Sequence, residues 1–311
     1  ISTQGMGFQR SFIFSLICAV SELEMDSDKF TLYLIEEPEL FLHPNHQSNF
    51  RGKLIELAKK TNNQVMITSH STYFINNISN YSEIKRISLV NNYSDIKEIT
   101  QDQIKDICKQ NGKLMALAMN EAKNPKFTSE QLKELEDNIA EQDELRYLLW
   151  VDPERANAFL SKKVILVEGK TEKAFFSYLL NNSQGFFFNQ KGVPDISVID
   201  VNGKFHFYKF AMLLHKLGIP CWIMYDGDED RISKGIHHQK LNSYVEQLKT
   251  DRIIQDCLRL DPEIETCFGF GKDEHKPDIA MYHNLIKNQE TYKENQHYKA
   301  IISFVKKIVT N

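Results

Sequence analysis

The sequence predicts an α/β protein in which two parallel-sheet units flank a helical stretch. Three observations carry that expectation. Short apolar runs, several of them ending in acids, recur at Phe30–Ile35, Gln64–Ser69, Val164–Val167, Ile196–Val201 and Cys221–Tyr225, with amphipathic segments between them. Strands separated by helices imply a parallel sheet. The middle of the chain, residues 111–160, is polar and helical in pattern and reads as a connector. The chain has 311 residues, 41% of them apolar, which is about two domains' worth and enough for a sizeable core.

Each element follows from local pattern. Met6–Glu24 is a mostly apolar helix. Phe30–Ile35 is a short apolar run ending at acids, as a buried parallel strand does. Asn45–Lys60 is an amphipathic helix, and Gln64–Ser69 a second buried strand. Ile84–Val90 and Ile96–Ile99 alternate and form an edge hairpin turning at Asn91-Asn92. In the connector, Thr128-Ser-Glu-Gln131 marks a helix start, and Pro125 and Pro153 punctuate the region. The second unit runs strand 164–167, helix 170–180, strand 196–201, helix 205–217, strand 221–225. The expected domains are 1–110, 111–160 and 161–311.

Composition excludes several classes. A formal charge of −4 rules out a uniformly basic nucleic-acid coat, though not a local basic groove. With 13 Gly and 8 Pro the chain is neither collagen-like nor linker-dominated. The longest apolar stretch, Phe12–Val20, is too short to cross a bilayer, so no membrane association is expected. Arg10 alone makes a poor charged region for a signal peptide. The 5 cysteines form no CxxC pair, which suits reduced thiols and a cytoplasmic location. The first residue is Ile, and the chain is expected to be a fragment of a longer one.

Two constellations carry chemistry. In the first, Leu32-Tyr-Leu-Ile-Glu36-Glu37-Pro38-Glu39 ends an apolar strand in paired carboxylates. Such acids at the carboxyl end of a parallel strand suit Mg²⁺ and the orientation of a water against a phosphate. Leu40-Phe-Leu-His43-Pro44 follows, and a second strand ends in Thr68-Ser-His70-Ser71. This order resembles the ABC-type ATPase core of the SMC and RecF group. The resemblance puts Glu36 at the Walker B metal position, where Asp is commoner, and Glu37 at the catalytic glutamate. It makes Glu39–His43 the D-loop and His70 the switch histidine. Ser2-Thr-Gln-Gly5-Met-Gly7-Phe-Gln-Arg10 resembles the signature motif, which contacts the γ-phosphate of a nucleotide on the opposite subunit. Ser2, Gly5 and Gly7 are its matching positions. No GxxxxGK[ST] phosphate loop occurs in the chain. The family carries that loop upstream of the signature. The chain is therefore expected to hold only the C-terminal part of the ATPase and not to hydrolyse ATP in cis.

In the second, Val164-Ile-Leu-Val-Glu168-Gly169-Lys-Thr-Glu172 places one carboxylate at a strand end and another in the first helical turn. Cys221-Trp-Ile-Met-Tyr-Asp226-Gly-Asp228 ends another strand with acids two apart, on one side by strand alternation. Carboxylates without nearby Cys suit Mg²⁺ or Mn²⁺ rather than Zn²⁺. Glu168 near Asp226 and Asp228 is a like-charge cluster that is costly without a cation. With Ile196–Val201 and Asn202-Gly203-Lys204 as the middle strand and its exit, the order resembles the Toprim domain of primases, topoisomerases and certain nucleases.

An ABC-type ATPase followed by Toprim resembles the OLD (overcoming lysogenization defect) nucleases, which include the Gabija antiphage nuclease subunit and some retron-associated effectors. Within that resemblance Asp261-Pro-Glu263-Ile-Glu265 matches a third acidic motif, although Asp often stands where Glu263 does. Lys276, in the Lys-Pro segment, matches a late catalytic lysine, and Glu172 the acid four residues after the first.

The resemblance implies a two-metal, ATP-regulated cleavage of DNA, taken as double-stranded, in antiphage defence. Glu168, Asp226 and Asp228 hold one Mg²⁺ or Mn²⁺, and Glu172 with Glu263 or Glu265 the other. Lys276 offsets charge on the phosphate. It also implies a homo-oligomer, at least a dimer, with a helicase or other defence subunit as a further partner. Lys163, Lys170, Lys191, Lys204, Lys234 and Lys240 are candidates to line the DNA approach, and His237-His238 are expected at the surface. The alternative is a non-catalytic ATP-driven DNA sensor or clamp of the SMC/RecF type, against which the intact acid set counts. A Toprim strand-passage or primer-synthesis enzyme is a third reading. Neither a separate domain carrying a nucleophilic tyrosine nor a primase zinc motif is evident.

Overall fold

The computed structural model describes residues 5, 7–9, 12–13, 15–16, 19, 30–75, 83–150, 152, 154–182, 196–233, 235–269 and 277–310. The chain divides into two compact units, Ile1–Asn77 with Val151–Ala156, and Ile78–Trp150 with Asn157–Asn311.

In the first unit β1 (Thr31–Glu36) runs parallel to β2, with Glu36 opposite Thr68. Helix α1 (Pro44–Ala58) follows β1, then come β2 (Asn63–Thr68) and the short α2 (Thr72–Ile75). Pro44 sits in the first turn of α1, where its missing N–H costs nothing. Phe50, Leu54 and Leu57 of α1 and Phe74 of α2 pack on Tyr33, Ile35, Val65 and Ile67. The intervening Leu32, Leu34 and Met66 are exposed. The sequence reading expected strands buried on both faces; here the burial alternates, and among the described residues one face is open. Residues 7–9, 12–13, 15–16 and 19 are helical, and the rest of the expected helix 6–24 lies outside the described residues.

The second unit opens with the hairpin β3 (Lys85–Val90) and β4 (Tyr93–Glu98). Asn91 and Asn92 turn it at φ 51° and 65°, a left-handed pair that asparagine tolerates and that matches strand twist. Helices α3 (Gln101–Ala122) and α4 (Ser129–Trp150) follow. Each begins with a reciprocal cap, Thr100 with Gln103 and Thr128 with Gln131, which satisfies orphan amides at both starts. Gly112 lets the two helices meet at the backbone, since a Cβ there would lie 2.5 Å from the Glu136 carbonyl oxygen. After α5 (Asn157–Leu160) come β5 (Lys163–Val167), α6 (Lys170–Asn182), β6 (Ile196–Asp200), α7 (Phe207–Lys216) and β7 (Cys221–Asp226). The chain continues through β8 (Ile232–Ser233), β9 (Ile236–His237), α8 (His238–Thr250), β10 (Asp256–Leu260) and α9 (Ile264–Cys267). It closes with α10 (Pro277–Lys287), α11 (Gln289–Tyr292) and α12 (Gln296–Thr310).

Strands β10-β7-β5-β6 form a four-stranded, all-parallel sheet. Both faces are covered, as a parallel sheet requires. Ile165, Val167, Trp222 and Met224 pack with Phe175, Phe176 and Leu179 of α6, Met281 and Leu285 of α10, and Ile301, Phe304 and Ile308 of α12. Val164, Leu166, Cys221, Ile223 and Tyr225 are buried on the other face, where the Tyr225 hydroxyl donates to Glu246 of α8 at 2.8 Å. Burying each such aromatic or branched side chain contributes about 1.5–3 kcal/mol. The chain leaves β5 toward β6 on one side and returns to β7 on the other. A switch point therefore lies between the carboxyl ends of β5 and β7, where open α/β sheets bind ligands.

The hairpin and both long helices group with this sheet rather than with residues 1–77. The sequence pattern places the hairpin in the first domain and residues 111–160 in a connector. Polar contacts between residues distant in sequence explain the difference. Arg86 donates to the carbonyls of Leu217, Gly218 and Ser161, and the Tyr244 hydroxyl to that of Leu114. Most decisively, Lys209 of α7 donates to Asp143 of α4 at 2.7 Å, and Asn111 of α3 to the same carboxylate at 2.6 Å, all three buried.

Removing one partner of a buried ion pair strands the other charge. Lys209→Met is expected to cost about 3–5 kcal/mol of unfolding free energy, read as a lower urea midpoint. The double change Lys209→Met/Asp143→Leu recovers most of that loss. A single variant that unfolds at the wild-type midpoint contradicts this account of the helical pair.

Candidate metal centre and ATPase segment

Glu168 follows β5 directly, and Asp226 is the last residue of β7. The two strands are neighbours, with Val167 opposite Met224, so the sheet itself brings these acids to one edge. Asp228 arrives differently. It follows the end of β7 at φ 47°, so a turn rather than strand alternation aims it. That turn is fixed by three hydrogen bonds. The Gly227 N–H donates to Leu260 O at 2.6 Å, the Asp228 N–H to Pro262 O at 2.8 Å, and Asn242 to Gly227 O at 2.6 Å. A Cβ on Gly227 would meet the Asp261 carboxylate, so a side chain there would have to displace that exposed group. Glu168, Asp226 and Asp228 each present an oxygen within 4.8 Å of the others.

Two further acids close the cluster. Glu172, in the first turn of α6, is buried and accepts from the Gly169 N–H at 3.0 Å. Glu265, at the start of α9, is buried and accepts from the Thr171 hydroxyl at 3.0 Å. The Ile264 N–H of the same turn donates to Asp226 at 3.0 Å. Of the two acids left open by the sequence, the buried one is Glu265. Glu263 accepts a 3.4 Å hydrogen bond from the Thr266 hydroxyl. Lys276 lies outside the described residues.

The electrostatics follow from crowding. Burial, then the Glu168 charge, pushes the Glu172 carboxyl up to about 8. Burial, then Glu172, Glu168, Glu265 and Asp228, raises Asp226 well above the carboxylate range. Burial raises Glu168 too, opposed by Lys204. Burial also opposes ionisation of Asp228, but His238, Lys204 and Arg231 outweigh it and hold that carboxyl below its ordinary value.

These partners correct three expectations. His238 is buried, with Nδ1 3.4 Å from Asp228 and Nε2 2.9 Å from the Ser233 hydroxyl, so it is no surface residue. Lys204 does not line a DNA approach: its side chain is fully buried within the acid cluster. Lys163 caps the last helix by donating to Ile308 O at 2.7 Å. Lys240 pairs with Glu121 at 3.0 Å, Lys170 is exposed, and Lys191 and Lys234 lie outside the described residues.

In the first unit Glu36 ends β1 and is exposed, and Glu37 follows at φ 41°, its N–H donating to Thr68 O at 2.9 Å. That contact brings Glu37 to the end of β2, with its carboxylate 3.7 Å from His70 Nε2. Glu39 is buried, and one of its oxygens accepts from the His70 N–H at 2.7 Å. The sequence reading placed Glu39 only in the D-loop and missed that it anchors the histidine. Gly7 packs so closely on Phe41 that a Cβ would overlap the Phe41 carbonyl oxygen. The two segments resembling signature and D-loop are thus apposed within this unit. Gly5 accepts from the N–H groups of Phe8 and Gln9, and Ser2 lies outside the described residues.

Comparison with known proteins agrees with both halves. The family model described as overcoming lysogenization defect protein-like, Toprim domain, matches residues 159–228. That of the AAA ATPase domain matches residues 1–75. The chain is 26% identical to the Old nuclease of Escherichia phage P2 over 307 residues, covering 96% of this chain and 46% of that protein. It is 24% identical to the OLD nuclease of Thermus scotoductus over 284 residues, covering 86% and 46%. With Endonuclease GajA of Bacillus cereus the identity is 26% over 217 residues, covering 66% and 27%. The chain spans less than half the length of these relatives. It carries an OLD-like Toprim domain and an AAA-type ATPase segment.

The raised Glu172 value has a signed consequence for the metal-free protein. A carboxyl whose folded value is raised binds its proton more tightly in the folded state, so its stabilising effect is complete below the ordinary 4.5 and lost as pH rises through about 8. Glu172→Gln, which mimics the protonated acid, is therefore expected to raise the Tm in EDTA at about pH 8.5 and to leave it unchanged near pH 4.5. A variant that is destabilised at the higher pH contradicts the crowding described here.

Proposed function

We propose that this chain is the nuclease end of an ATP-controlled, divalent-metal-dependent DNA endonuclease of the OLD type. The observation that carries the reading is the meeting of Glu168, Asp226 and Asp228 at the switch point of the parallel sheet, their oxygens within 4.8 Å of one another. The residues fit a cation: all three offer hard carboxylate oxygens, and Glu168 Oε2 is buried without a hydrogen-bond donor. Glu265 Oε2 is likewise buried and without one, beside Glu172, and this pair is the natural holder of a second ion. Oxygen-only donors favour Mg²⁺ or Mn²⁺. When bound, such ions supply Lewis-acid activation of a phosphodiester and of the attacking water.

The chain's own groups do the positioning. Thr171 orients Glu265, the Gly169 N–H orients Glu172, and the Ile264 N–H orients Asp226. Lys276 is assigned to offset charge on the scissile phosphate. In the ATPase segment Glu37 is assigned to orient the hydrolytic water and His70 to sense the γ-phosphate, and Glu36 is assigned to Mg²⁺. Their proximity, 3.7 Å between Glu37 and His70, supports the pairing. The segment containing Gly5 and Gly7 acts on nucleotide held by a second subunit, so the working form is at least a dimer. The substrate is double-stranded DNA. The role in antiphage defence, with a helicase or similar partner, rests on the resemblance to the Gabija nuclease.

A plasmid-nicking assay tests the reading. Asp226→Ala is expected to reduce Mg²⁺- or Mn²⁺-dependent nicking to background. The metal-free variant should be at least as stable as wild type, because one of several mutually repelling acids is gone. Full nicking by the purified variant would falsify the assignment.

A further inference from the structure

Lys204 lies in the short 3-10 turn Lys204–His206 that follows β6, and its side chain is completely withdrawn from solvent. Its ammonium donates to the Asp226 backbone carbonyl at 2.5 Å. It also stands 3.8 Å from the Glu168 carboxylate and 3.9 Å from that of Asp228. It lies over the Tyr225 ring, 5.7 Å from its centroid. A lysine with no exposure cannot grip a DNA backbone, and one that reaches both the Glu168 end of β5 and the Asp226–Asp228 turn is not a surface ion pair. Lysine is almost never buried without such partners.

We propose that Lys204 is the built-in counter-cation of the acid cluster. It holds Glu168, Asp228 and the Asp226 carbonyl in place before metal arrives, and it trims the cluster's charge. Its ammonium offsets part of the negative charge of the neighbouring carboxylates, which leaves less for a divalent cation to neutralise. The lysine therefore acts as a positioning residue that keeps the edge of the sheet assembled in the metal-free protein, and it weakens rather than strengthens cation binding. This deepens the metal-centre reading above and rests on it.

The sign of the effect on binding separates this role from a merely structural one. Lys204→Gln keeps a donor for the Asp226 carbonyl and removes the charge; Lys204→Met removes both. Calorimetric titration of the 311-residue chain with Mn²⁺ is expected to show roughly tenfold tighter binding in Lys204→Gln. The Tm in EDTA falls in both variants, and saturating Mn²⁺ restores most of it. A variant that folds only with Mn²⁺ supports the proposal. Mn²⁺ affinity equal to or weaker than wild type in Lys204→Gln overturns it, and so does failure of both variants to fold with Mn²⁺ present. If the wild-type chain binds Mn²⁺ no better than Asp226→Asn, the metal-centre reading itself falls, and the role of Lys204 with it.

Discussion

Glu168, Asp226 and Asp228 are held within a few ångströms of one another at one edge of a parallel sheet, and like charges at that spacing repel unless a cation lies among them. Much of the second unit can be understood from that constraint. The central pairing of β5 with β7 fixes two of the acids, and the carbonyls of Leu260, at the end of β10, and of Pro262 just beyond it lock the turn carrying the third. Helix α9 sends an amide to Asp226 and brings up Glu265, while α6 delivers Glu172. Against these acids the fold sets one buried ammonium, one buried imidazole and the Arg231 guanidinium. The balance leaves room for positive charge from outside the chain.

The helical pair belongs to the same mechanical unit. Lys209 belongs to the helix that runs from the Lys204 turn back toward β7, and its buried bond to Asp143 ties α7 to α4 and, through Asn111, to α3. In the first unit a comparable economy holds: Glu39 steadies the backbone of His70, and Glu37 faces the ring.

Much of this was legible in the sequence because the signals are local. An apolar run that stops at an acid announces both the strand and the group at its end, as at Glu168 and Asp226. Thr128 with Gln131 announced a helix start in the same way. What was not legible depends on tertiary neighbours. Lys204 reads as one solvated lysine among many until the turn after β6 places it under β7. His238 reads as half of a surface histidine pair, although a single helix start turns it inward and leaves His237 exposed. Glu263 and Glu265 are indistinguishable as sequence, and only the first turn of α9 buries one of them. Asp228 was expected beside Asp226 by strand alternation, and it gets there through a left-handed turn after the strand has ended. The placement of the hairpin and the long helices was missed because Arg86, Asn111 and Asp143 make their deciding contacts with residues far away in sequence.

The most direct test of the central claim is an anomalous-scattering map of crystals of this chain grown with Mn²⁺. The account predicts a manganese peak bounded by Glu168, Asp226 and Asp228, at coordination distances of about 2.0–2.4 Å, and no such peak in Asp226→Asn crystals. Manganese bound only elsewhere on the chain, with the three carboxylates still gathered at the sheet edge, would contradict it.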